Sequence, residues 1–187
     1  MLQQIKQSII HDITQLLTFR YTILYQHLGY SMKVGIAVLD EAQKQEIISK
    51  KINSGVTVQW VNSTDALLQV NDAEYWIDCT FSGSEIPFFE RPTLLHAPSL
   101  TLALAPQDST VGRFCAWNTF LKREVWEISV APNTDATWVS AIMDSLGWQY
   151  LLVQDEPGFI APRMLATIIN EAYFALQAGV STSEEID

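Results

Sequence analysis

Few side chains in this sequence are able to move a proton or attack a substrate, and their spacing excludes most catalytic classes. There are three histidines, His11, His27 and His96. His11 and His27 fall in an apolar N-terminal stretch, whereas His96 sits in the short run LLHA, three residues before Ser99. A histidine at the C-terminal end of a strand lies where open α/β sheets bind ligands, so His96 is the one of the three to test as a functional group. Cys79 and Cys115 are too few and too far apart for a disulfide framework. No HExxH, Cys-x-x-Cys or EF-hand-like acidic loop offers metal-ligand spacing. A GxSxG elbow and a P-loop are also absent. Six tryptophans are present, four of them in strand-like runs, which points to core packing rather than a ligand cage.

The elements that must position these residues alternate. KVGIAVLD from Lys33 is a short apolar strand, EAQKQEIISKKINSG reads as a helix ended by Gly55, and VTVQWV is a second strand. EYWIDCTF (74–81) has the character of a buried parallel strand, and another short strand is expected near LLHA. GRFCAWNTF is a strand running into a loop, and EVWEISVAP is a further strand. Asn133 or Thr134 is expected to cap a helix with Val139, Ile142, Met143 and Leu146 on one face and Gly147 at its end, before a last strand in WQYLLVQD. Then Asp155 is a candidate cap and Pro157 suits a first helical turn; Phe159, Ile160, Leu165, Ile168, Ile169, Ala172 and Leu176 recur at helical spacing, and Gly179 stops the run. Residues 2–28 carry Leu2, Ile5, Ile9, Ile13, Leu16 and Leu17, then a second apolar cluster, and read as one broad-faced helix or two. The alternation predicts an α/β fold with an open, mostly parallel, doubly wound sheet.

With 187 residues, 48% of them hydrophobic, the chain can bury a proper core. Its 21 acidic residues against 11 basic ones give a formal net charge of -10, which disfavours nucleic acid and anionic membrane surfaces as partners, since both need a positive field. No signal-like segment or long apolar span is evident, and a reducing cytoplasm is the expected compartment.

The stretch DEPGFIAPRMLATIINEAYFALQAGVSTSEEID (155–187) resembles the domain junction of the 3-hydroxyacyl-CoA dehydrogenases. In that family a strand ends in an acidic-x-Pro-Gly-Phe-Ile turn, followed by a helix carrying Asn-Glu-Ala and a glycine-led tail ending in Asp-Ile-Asp. RFCAWNTF…EVWEIS and EYWIDCTF are similar to further motifs of the family, so the resemblance covers about residues 33–187 and is most specific at the C-terminal end. It implies a Rossmann-like domain over 31–156, preceded by a helical extension over 1–30. Residues 157–187 would then be the first helix of a truncated all-α domain.

The family's activity is NAD-dependent oxidation of 3-hydroxyacyl-CoA in fatty acid metabolism, and the resemblance places its functional positions on this chain. The catalytic His position is Cys115, the orienting Glu is Glu127, the Asn position is Pro162, and Ser99 matches the family's Ser. The glycine positions of the dinucleotide loop fall at Leu39, Glu41 and Lys44, and the ribose-binding acid at Asn62. A thiol near its ordinary pKa is a poor substitute for imidazole as a base, and Pro162 cannot donate a hydrogen bond. Asp40 and Glu41 set negative charge where a diphosphate would lie. Glu127, left alone, suits a cap or a salt bridge. The expectation is therefore a degenerate, non-catalytic relative acting as a binding or assembly module and forming a homodimer. No cofactor is expected, with NAD or acyl-CoA as ligands if binding is retained. The alternative is an active oxidoreductase binding NAD(H) or acyl-CoA through altered contacts. Residues 2–28 are expected to pack on the helix of 158–178, within one chain or across a two-fold axis.

Overall fold

The computed structural model describes residues 31–106, 109–132 and 134–186. The N-terminal helical extension, residues 1–30, lies outside the described residues. Seven strands form one sheet: β1 (Met32–Ala37), β2 (Val56–Val61), β3 (Tyr75–Asp78), β4 (Thr93–His96), β5 (Val111–Phe114), β6 (Val125–Val130) and β7 (Gln149–Val153). Their order is β2-β1-β3-β4-β5-β6-β7, and every neighbouring pair is parallel except β5 with β6. The order reverses between β1 and β3, so a crevice opens at the C-terminal ends of those strands.

Both faces of the sheet are covered at its centre, which is why those strands read as near-continuous apolar runs, whereas Leu151 and Leu152 of the edge strand β7 are exposed. One face packs against α1 (Glu41–Ser49) and α3 (Thr137–Leu146), burying Ile36, Ile47, Ile77, Ile142 and Met143 among others. Phe114 stacks on Trp126 at 4.8 Å there, and Trp148 lies 5.0 Å from Trp126. The other face buries Leu67 from α2 (Thr64–Leu67), together with Trp76, Phe89, Leu95 and Leu102. Tryptophan thus serves the core at Trp76, Trp126 and Trp148, whereas Trp117 is exposed.

Three boundaries differ from the expected ones. Helix α1 ends at Ser49, not Gly55, because Lys50 turns extended and the next residues are engaged elsewhere. Asn53 donates to the carbonyls of Asp144 and Ser145, closing the C-terminus of α3. Helix α3 starts at Thr137, later than a Thr134 cap would place it; the Asp135 carboxylate accepts from the Thr137 N–H at 2.9 Å. Gly147 does end α3, at φ 78°, with the paired bonds Gly147 N–H to Asp144 and Trp148 N–H to Met143 that close a Schellman motif. Asp155 does not cap the last long helix, α4 (Ile160–Gln177); it is drawn into a buried ion pair with Arg113. Gly179, at φ 66°, stops α4 through a second Schellman motif, Gly179 N–H to Leu176 and Val180 N–H to Ala175. The short exposed α5 (Ser183–Ile186) follows.

Candidate functional site

The crevice at the β1/β3 switch point begins with the turn from β1 into α1. The Asp40 carboxylate accepts from the Gln43 N–H at 2.8 Å and caps the helix. The Gln43 side chain is buried: its Oε1 accepts from the Leu39 N–H at 2.9 Å, and its amide donates to the Ala116 carbonyl at 3.1 Å. Two open grooves flank this turn. One, about 490 Å³, is lined by Leu39, Asn62, Thr64, Thr80 and neighbours; the other, about 530 Å³, by Leu39, Asp40, Glu41, Lys44, Trp60 and Asn62. Leu39 and Asn62 therefore line both grooves, and Glu41 lines the second. Lys44 is the one cation lining either groove among the described residues, and it faces Glu41 at 3.7 Å.

These residues do not fit a dinucleotide diphosphate in the way a glycine turn does. Such a turn lets the anion reach free N–H groups at the helix N-terminus, where no side chain intervenes. Here a carboxylate of the chain itself already sits on that terminus, and Leu39 projects from the turn, 63% exposed.

Further along the sheet, Cys115, Glu127 and Pro162 meet around one small cavity, with Arg123 and the rings of Phe114, Phe120 and Trp126. Its volume of about 10 Å³ matches a single water. Burial pushes the Cys115 thiol up to about 11, against a backbone hydrogen bond at Trp117 that lowers it; the Glu127 charge adds a smaller rise and Arg123 a smaller lowering. Glu127 is committed to α4: it accepts from the Ile160 N–H at 2.8 Å and the Ala161 N–H at 3.1 Å, with Arg123 at 3.8 Å. Pro162 is buried in the first turn of the same helix. Ser99 is exposed and does not line this cavity.

His96, at the end of β4, accepts the Ala116 N–H on Nδ1 at 2.9 Å. That bond requires Nδ1 to be unprotonated, so the neutral ring carries its proton on Nε2. Burial lowers its pKa, with Phe114 and Asp78 acting the other way, and keeps it uncharged at neutral pH. Ala116 is thereby bonded to both Gln43 and His96.

Two buried charged centres were not singled out from the sequence. Asp78, fully buried at the end of β3, accepts from the Thr64 hydroxyl at 2.6 Å, the Thr80 N–H at 2.8 Å and the Thr80 hydroxyl at 2.7 Å. Arg113 on β5 pairs with Asp155 at 2.5 Å, donates to the carbonyls of Ala97 and Glu156, and stacks 4.7 Å from the Phe159 ring. Asp155 also accepts from the Ser129 hydroxyl and the Leu102 N–H. This network holds the Pro-Gly-Phe turn, where Gly158 has φ 93°, Phe159 has φ 51°, and the Gly158 N–H reaches the Pro98 carbonyl. A lone arginine inside the apolar strand VGRF, with an acid after the last strand, was the available signal.

Among the described residues no group of three His, Cys, Asp or Glu side chains is arranged to hold a metal ion, and no helix is long and apolar enough to cross a membrane.

No family model matches the chain, and no curated protein matches it. Solved structures do. An (S)-3-hydroxybutyryl-CoA dehydrogenase from Ralstonia eutropha is similar with a TM-score of 0.62 at 17% identity, over 84% of this chain and 75% of that one. A 5-formyl-3-hydroxy-2-methylpyridine 4-carboxylic acid 5-dehydrogenase, described as an NAD+-dependent dismutase, gives 0.59 at 15%, over 84% and 69%. A 3-hydroxyacyl-CoA dehydrogenase from Archaeoglobus fulgidus gives 0.55 at 15%, over 83% and 67%. At these identities the likeness is one of fold: the chain has the Rossmann-like, mostly parallel α/β architecture seen in 3-hydroxyacyl-CoA dehydrogenases.

Proposed function

We propose that this protein is a non-catalytic relative of the 3-hydroxyacyl-CoA dehydrogenases that works as an assembly module, self-associating as a homodimer through α4. The observation that carries this reading is the state of α4. Beyond its first turn the helix stands away from the sheet, and Met164, Ile168, Tyr173 and Phe174 are each more than 60% exposed. Leu165, Ile169 and Leu176 extend the apolar surface along the helix. Each large side chain covered in an interface contributes about 1.5–3 kcal/mol, so leaving this set in water is costly, and contiguous patches of this kind mark interaction sites.

The loss of hydride chemistry is supported by the small cavity. A thiol near 11 is almost wholly protonated at neutral pH and cannot take up an alcohol proton there; Glu127, whose oxygens bind the start of α4, is not free to orient a base. The alternative, an oxidoreductase binding NAD(H) or acyl-CoA through altered contacts, draws its support from the convergence of Cys115, Glu127 and Pro162 around one cavity.

Sedimentation velocity tests the assembly reading. A dimer is expected at micromolar protein, converted to a monomer by Ile168→Glu combined with Phe174→Glu. A parent protein that stays monomeric across that range would overturn self-association.

A further inference from the structure

We propose that Asp40 and Gln43 act as built-in ligands of the β1–α1 turn and close the switch-point crevice to phosphate-bearing ligands. Three donors of the turn have internal partners. The Leu39 N–H goes to the Gln43 side chain, the Gln43 N–H to the Asp40 carboxylate, and the Lys44 N–H to the Asp40 carbonyl at 3.2 Å. The Asp40 carboxylate thus takes the place an incoming anion would occupy, and the adjoining Glu41 adds a second negative charge to the first turn.

Gln43 makes the closure more than electrostatic. Its buried amide ties the turn to Ala116 on the segment after β5, so opening the turn would strand a buried polar group and the Ala116 carbonyl together. Ala116 in turn holds His96, so the turn, the β5 segment and the end of β4 form one hydrogen-bonded unit. A phosphate must displace a carboxylate that is already in place, at no entropic cost of association, and must do so beside Glu41. Lys44, which lines the second groove, is engaged with Glu41 and lies 5.7 Å over the Trp60 ring. The grooves on either side stay open, so the selection acts on phosphate and not on size.

This inference is independent of self-association through α4, and the two fail separately. Calorimetric titration of the full chain with ADP, NADH and inorganic pyrophosphate tests it, with folding of every variant checked by circular dichroism. The parent protein is expected to give no saturable heat. Asp40→Ser with Glu41→Ala, which keeps a neutral capping hydroxyl, is expected to tighten ADP binding at least tenfold; adding Gln43→Ala tightens it further. Glu184→Gln with Glu185→Gln removes the same charge from the distant α5 and is expected to change nothing. Saturable binding of any of the three probes to the parent would overturn the proposal. So would folded Asp40 variants that bind no better, or an equal gain in the α5 control.

Discussion

Glu127 is a carboxylate to which the family resemblance assigns the place of a catalytic orienter, while its hydrogen bonds are those of a helix cap. Replacing it with Ala should destabilise the fold by about 1 kcal/mol, in the range of a lost N-cap, as measured by urea unfolding. Breaking the Arg113 to Asp155 pair is a larger insult, since it leaves a buried charge unmatched: Asp155→Asn should cost about 3–5 kcal/mol in the same assay. Cys115 gives a pH prediction. Its folded pKa is raised, so its contribution to stability is complete below the ordinary thiol range and is lost as pH rises toward 11. In a Cys79→Ala background, alkylation at pH 7 should be much slower than for a free thiol and should climb only at strongly alkaline pH; fast labelling at pH 7 would contradict the buried, protonated thiol. Cys115, Glu127 and Pro162, which line one cavity, could be singled out from the family resemblance. The roles of Gln43 and Asp78 could not, because they depend on partners 73 residues away in one case and 14 in the other.

At the scale of elements, the strand positions were legible because buried parallel strands are short apolar runs bounded by polar turns; five strands fall within the segments expected, and β1 and β5 begin one residue earlier, at Met32 and Val111. Helix ends were less so. The early stop of α1 is set by Asn53 reaching the end of α3, a tertiary contact that overrides the local signal of Gly55. The Pro-Gly-Phe-Ile turn was recognised as a motif, but its anchor, Asp155 on Arg113, is visible only in three dimensions. Gly158 belongs to this scale. A Cβ there would lie 2.7 Å from Arg163 Cγ on a backbone at φ 93°, so Gly158→Ala should destabilise by more than about 1 kcal/mol and loosen the start of α4. Hydrogen exchange over 160–177 checks the second effect: protection there should fall more than in β1.

For the molecule as a whole, the described residues form a seven-stranded sheet with a core on each face, and α4 projects beyond it with much of its apolar surface exposed. The fold is that seen in 3-hydroxyacyl-CoA dehydrogenases, and the positions to which the resemblance assigns base, amide donor and glycine turn hold a protonated thiol, a proline and a self-capped helix. The central claim, that the fold persists without hydride transfer, is tested most directly in a single-turnover experiment. NADH and acetoacetyl-CoA are mixed with protein in molar excess, and the loss of NADH absorbance is followed beside an intact 3-hydroxyacyl-CoA dehydrogenase. The account predicts the same rate of loss with and without this protein. A protein-dependent oxidation of one equivalent of NADH would contradict it and make the altered contacts around Cys115 and Glu127 a working active site.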